Sequence, residues 1–132
     1  MARMLAVDDE PDILQALAAY LEATVPGLEV VTASSGAAAM EALEGMTPDI
    51  VLSDYKMPGM TGLELLTRIA KKDPRIPCLM MTAYADSDLA MRAVHDAHVR
   101  QFLTKPVDPG QLSRIVREIL GIAEKPRAPK AS

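Results

Sequence analysis

The chain has 132 residues, of which 49% are hydrophobic and 24% charged, and its formal net charge is −4. That length supports one domain with a real core, and the acidic balance, with no Trp and few aromatics, excludes a broad nucleic-acid surface or a base-stacking platform. No apolar run approaches the roughly 20 residues of a membrane helix, and acidic residues begin at Asp8, too early for a secretory signal, so the expectation is a cytoplasmic protein that contacts neither membrane nor nucleic acid directly.

Short apolar runs alternate with segments of helical period. Met4–Val7 reads as the first strand and ends in Asp8, Asp9 and Glu10. Pro11 suits the first turn of a helix, and Ile13, Leu14, Leu17, Ala18 and Leu21 mark its inward face. Pro26 and Gly27 end it. Glu29–Thr32 is the second strand, polar enough to sit at an edge. Ser35 and Gly36 open the second helix, with Ala39, Met40 and Leu43 inward, and Gly45 and Pro48 stop it.

Ile50–Ser53 is the third strand and leads directly into Asp54. The turn Met57-Pro58-Gly59-Met60 follows. Thr61 and Gly62 start the third helix, with Leu63, Leu66, Ile69 and Ala70 inward, and Pro74 and Pro77 close it. Cys78–Met81 is the fourth strand. Cys78, the only cysteine, excludes an internal disulfide and a multi-thiolate zinc site, and inside an apolar run it reads as a small core residue. A fourth helix spans about 86–97; its inward face of Ala90, Ala93, Val94 and Ala97 is mostly alanine, which gives the weakest packing. Phe102–Thr104 is the fifth strand, again at an edge. The last helix begins at Asp108-Pro109, buries Leu112, Ile115, Val116, Ile119 and Leu120, and ends near Gly121.

Five strands alternating with five helices give an α/β fold, a parallel sheet covered by helices on both faces. Residues 1–122 form the domain, and 123–132, with two prolines and two lysines, read as a flexible tail or linker.

The strand ends carry the chemistry. In an open parallel sheet the carboxyl ends of the strands meet at one crevice. Asp8 and Asp9, Asp54, Thr82 and Lys105 all stand at such ends. Asp8-Asp9 alone would read as a helix cap. With the other three groups, the set suits a divalent metal and a phosphoryl group. Crowded carboxylates raise one another's pKa unless compensated, and Mg²⁺, with its preference for hard oxygen ligands, compensates them. Asp54 is the candidate nucleophile, able to form an acyl phosphate. Lys105, Thr82 and the metal would stabilise charge on the transferring oxygens, and the small Ala83 leaves the approach to Asp54 open. The turn after Asp54 leaves the Lys56 carbonyl facing the metal.

The ordered set Val7-Asp8-Asp9-Glu10, Ser53-Asp54-Tyr55-Lys56-Met57-Pro58-Gly59, Thr82-Ala83 and Lys105-Pro106 resembles the receiver domain of two-component response regulators, from Arg3 to about Leu120. The resemblance implies a flavodoxin-like, CheY-like (βα)5 fold with strand order 2-1-3-4-5. It implies a phosphorylation-controlled switch rather than a turnover enzyme. Asp54 would accept a phosphoryl group from a histidine kinase or phosphotransfer protein. Asp9, Asp54 and the Lys56 carbonyl would ligate Mg²⁺, with Mn²⁺ an acceptable substitute, and Asp8 would act through water. Thr82 and Lys105 would contact the phosphoryl oxygens, and Lys105-Pro106 would be a cis peptide.

Phe102, three residues before the lysine, falls at the family's aromatic switch position; read from the residues alone it is core in an edge strand. The resemblance implies that Phe102 turns inward as Thr82 moves, reshaping the face of the fourth helix, fifth strand and fifth helix for a downstream protein or output domain. Lys56 and Tyr84 flank the acceptor, either as exposed loop residues or as covers that tune the lifetime of the acyl phosphate. His98-Val99 departs from the Gly-Ala common in the family and reads as a solvated loop. The competing function is an aspartyl phosphohydrolase on a similar sheet. Such enzymes commonly want a second aspartate two residues after the nucleophile, where Lys56 stands.

Overall fold

The computed structural model describes residues 1–83, 92–93 and 95–123. The elements are β1 (Ala2–Val7), α1 (Pro11–Thr24), β2 (Leu28–Ala33), α2 (Gly36–Gly45), β3 (Ile50–Asp54), α3 (Gly62–Lys72), β4 (Cys78–Thr82), β5 (Val99–Thr104) and a last helix over Pro109–Leu120. The five strands form one parallel sheet in the order β2-β1-β3-β4-β5. The two strands expected at the edges, β2 and β5, are at the edges.

Strand periodicity divides the core in two. Leu5, Val7, Val51, Cys78 and Met80 point to one face, where Ala39 of α2 and Leu63, Leu66 and Ile69 of α3 cover them. Met4, Ile50, Leu52, Leu79 and Met81 point to the other, against Leu17 and Leu21 of α1 and Leu112 and Val116 of the last helix. The three central strands are therefore apolar in unbroken runs, as a sheet buried on both faces requires. Each fully buried side chain of this size contributes about 1.5–3 kcal/mol. Cys78 is core, and burial pushes its thiol pKa up to about 12.

The helix ends use the signals in the sequence. The Ser35 and Thr61 hydroxyls accept from Ala38 N–H and Glu64 N–H. Asp108 accepts from Gly110 N–H, and Gly121 takes a left-handed φ of 67° as the last helix stops. One inward assignment changes. Ile13 is 49% exposed, because Leu17 and Leu21 carry the packing of α1 on the sheet and the Ile13 position lies at the edge of that face. It lines an apolar groove with Ala16, Tyr20, Pro106 and Val107. Further buried positions include Leu65 and Ser113. Most of the 86–97 segment lies outside the described residues, as do 124–132; Ala93 and Ala97 are fully buried on the α2–α3 face.

Gly62 fixes where α3 meets the sheet. Its N–H donates to the Tyr55 carbonyl at 2.8 Å. A Cβ at this position would collide with the Asp54 carbonyl oxygen and lie 2.9 Å from Tyr55 Cα. Both are backbone atoms that cannot turn away. Gly62→Ala is expected to destabilise the protein by about 2–3 kcal/mol, read as a lower urea midpoint at unchanged slope; a midpoint equal to wild type would show that α3 shifts freely.

Candidate functional site

The parallel register sets the site. Val7 pairs with Ser53, so Asp8 comes up beside Asp54. Asp54 pairs with Met81, so Thr82 and Ala83 follow on its other side. Thr82 pairs with Thr104, and Lys105 N–H donates to the Thr82 carbonyl at 3.0 Å. Residues from four strand ends thus meet at one rim. The result is a cleft of about 850 Å³ whose lining includes Asp9, Asp54, Lys56, Thr82, Ala83 and Lys105.

At its floor Asp54 is 5% exposed, and Asp8, on the adjoining strand end behind the lining, is 1% exposed. The Lys105 ammonium stands between carboxylates: Nζ lies 2.9 Å from Asp54 Oδ2, 3.4 Å from Asp8 Oδ2 and 3.8 Å from Glu10 Oε1. Asp8 Oδ1 accepts from Glu10 N–H at 3.0 Å. Asp8 Oδ2 is buried and, beyond that ion pair, has no hydrogen-bond partner among the described residues. One carboxylate oxygen from each of Asp8, Asp9 and Glu10 lies within 4.8 Å of the other two.

One ammonium does not neutralise this group. Desolvation lifts the Asp54 pKa above its ordinary value; the hydrogen bond and charge of Lys105 oppose the lift, the Asp8 charge adds to it, and Lys56 N–H opposes it again. Net, Asp54 is harder to ionise than a solvated aspartate. For Lys105, desolvation pulls the pKa down, but its hydrogen bond to Asp54 and the Asp54 and Asp8 charges outweigh that and hold it above the ordinary lysine value. Crowded hard oxygen donors, one of them buried and short of a hydrogen-bond donor, are a fitting environment for a small divalent cation.

The structure brings Asp8, Asp9, Asp54, Lys56, Thr82, Ala83 and Lys105 together. The Lys105-Pro106 peptide is cis, and Pro106 lies on the wall of the neighbouring apolar groove. Phe102 is elsewhere: it pairs with Met80 in β5 and is half-buried against the α2–α3 face of the core. Tyr84 lies outside the described residues. Glu10 enters the cleft without having been singled out for a role, although a third acid in a row at a strand end was the signal for it. Tyr55, Met57, Pro58 and Thr61 complete the wall, because the turn after Asp54 folds back over it.

A family model for the response regulator receiver domain matches residues 4–117. The chain belongs to that family. Receiver domains are phosphorylation-controlled signalling modules, and they generally bind Mg²⁺ at an acidic pocket. The chain is 36% identical over 124 residues to the DNA-binding transcriptional regulator NtrC of Escherichia coli (strain K12), covering 94% of this chain and 26% of that protein. It is 37% identical over 131 residues to the response regulator protein PilR of Pseudomonas aeruginosa, covering 98% of this chain and 27% of that one. It therefore spans about a quarter of the length of these relatives. Among solved structures, a CheY-like receiver domain protein from Methanospirillum hungatei JF-1 superposes with a TM-score of 0.84 at 30% identity, over 92% of this chain and 94% of that one. Among the described residues no helix is long and apolar enough to cross a membrane.

In this receiver domain the charge on Asp54 works against folding. A carboxyl whose folded pKa is raised favours the folded state below its unfolded pKa of about 3.9, and that advantage is lost as pH rises through the raised folded value. Asp54→Asn is therefore expected to raise the Tm at pH 7 in EDTA by about 2–4 °C, with the gain shrinking as pH falls toward 4. Thermal melts across that range check it; a lower Tm for the variant at pH 7 would mean that the Lys105 ion pair dominates.

Proposed function

We propose that Asp54 is the phosphoacceptor of this receiver domain, taking its phosphoryl group from a histidine kinase or phosphotransfer protein. The observation that carries this reading is the position of the Asp54 carboxylate. It lies on the floor of an open cleft, beside a lysine ammonium at 2.9 Å, with the hydroxyl-bearing Thr82 on the adjoining strand. An Asp54 carboxylate oxygen attacks phosphorus. The bond from phosphorus to the donor nitrogen breaks, and the electron pair leaves with the donor imidazole. The Lys105 ammonium donates to a phosphoryl oxygen of the acyl phosphate. The Thr82 hydroxyl donates to another. Ala83 keeps the approach clear.

Asp9, Asp54 and the Lys56 carbonyl would hold Mg²⁺ directly and Asp8 would hold it through water. The bound ion supplies positive charge that offsets the crowded carboxylates and the transferring oxygens. Mn²⁺ has compatible ligand preferences.

The added charge of about −1.5 to −2 is the signal. In this reading Thr82 is drawn toward it, and Phe102, half-buried in the neighbouring edge strand, turns into the space behind. The face around β5 and the last helix then changes for a downstream protein or an output domain. The domain itself occupies residues 1–122, and 123–132 act as a tail or linker. Exposed Ile13 and Tyr20, beside the cleft, offer a protein donor an apolar seat. Exposed Lys56 on the rim, together with Tyr84, restricts water at the acyl phosphate.

Incubation with acetyl phosphate and Mg²⁺ is expected to give one phosphoryl group per chain, stable to acid, labile to base and absent from Asp54→Asn. Phosphorylation retained in that variant, or steady multiple turnover on a metabolite, would overturn the reading. In the same assay Lys56→Ala and Tyr84→Ala are expected to lose the phosphoryl group about threefold to tenfold faster, each lost cover being worth roughly 0.7–1.4 kcal/mol of barrier. Decay equal to wild type for both removes their role.

A further inference from the structure

Glu10 breaks a local rule of helix design. It is the residue before α1, with φ −102° and ψ 97°, the position where a side-chain oxygen normally caps the helix. Ser, Thr, Asp and Asn serve there; a glutamate is too long, and the Glu10 side chain makes no capping bond. Its backbone N–H instead fixes Asp8 Oδ1 at 3.0 Å, and its carboxylate turns to the cleft, 3.8 Å from Lys105 Nζ. Departures from local preference that gain nothing locally mark positions where something else is held.

The three carboxylate partners of Lys105 among the described residues are not equivalent. Asp54 and Asp8 are buried, and in the reading above Asp54 would hold the cation directly and Asp8 through water. The Glu10 side chain is 58% exposed and stands on the solvent side of the same ammonium. A cation that takes a share of these carboxylates competes with a lysine ammonium that lies 2.9 and 3.4 Å from their Oδ2 atoms. An ammonium that yields to the cation moves outward, and among the described residues Glu10 is its one exposed carboxylate partner.

We propose that Glu10 is a positioning residue for Lys105, receiving its ammonium when Asp8 and Asp54 turn to a divalent cation. This rests on the cation reading given above and adds a residue that reading does not use. Glu10 lowers the cost of freeing the two buried carboxylates and keeps the ammonium at the mouth of the cleft, where the phosphoryl oxygens arrive. Helix capping is given up for it.

Mg²⁺ affinity, measured by calorimetry without any phosphodonor, tests the idea in a double-mutant cycle. Glu10→Gln is expected to weaken binding about threefold, the size of an exposed ion pair. In the Lys105→Met background the same substitution is expected to change it by less than half as much, because there is no ammonium to receive. An equal loss in both backgrounds would mean that Glu10 acts only as a distant charge, and no loss in either would mean no role; both overturn the proposal. Glu10→Ser keeps folding out of the result. It supplies the missing cap, so its Tm is expected to rise while its Mg²⁺ affinity falls like that of Glu10→Gln. If the affinity of Glu10→Ser stays at the wild-type value, the proposal is wrong. Absence of Mg²⁺ binding by wild type would overturn the cation reading and this inference with it.

Discussion

One ammonium among several carboxylates governs this molecule. Asp8 and Asp54 are held at the bottom of a cleft by the ends of β1 and β3, and Lys105 comes to them from beyond β5. The charge is incompletely balanced: burial lifts Asp54 above its ordinary pKa even with Lys105 in hydrogen-bond contact. A site in that condition is unstable toward ionisation and receptive to added positive charge. It is also sensitive to any group that changes the charge on Asp54. The same imbalance that costs folding energy makes the site responsive.

The rest of the fold exists to hold that imbalance in place. Two apolar layers clamp the sheet, and the central strands are fully buried. Rigid strands fix the rim residues. Glycine at position 62 lets α3 begin directly against the Asp54–Tyr55 backbone, and Thr61, which caps α3, sits on the cleft wall. Against this rigid floor the walls are loops and helix starts, where chemistry and change are easier to accommodate.

Much of this was legible in the chain. Unbroken apolar runs gave β1, β3 and β4, because a strand buried on both faces cannot alternate. Pro, Gly, Ser and Thr gave the helix limits, because each satisfies a specific end requirement. Asp8, Asp9, Asp54, Thr82 and Lys105 were legible because polar residues directly after apolar strands have one place to go in a parallel sheet. Ile13 was misplaced inward for a geometric reason: periodicity defines a face about a third of the helix wide, and which edge of that face touches the sheet depends on how the helix rolls onto it. Ser113 was missed because a buried serine carries no apolar signal; its hydroxyl meets Thr24 at 2.8 Å and accepts from Arg117 at 2.6 Å.

The sequence by itself determined the elements, their alternation and the kinds of group at the strand ends, since these follow from local periodicity and residue chemistry. Only the tertiary structure decided which groups touch. That Lys105 spans Asp54, Asp8 and Glu10, that Asp8 keeps one buried oxygen without a hydrogen-bond donor among the described residues, and that Glu10 faces the cleft instead of capping its helix all depend on strand register and side-chain direction. Those are set by packing between residues up to about a hundred positions apart, and no local pattern along the chain encodes them.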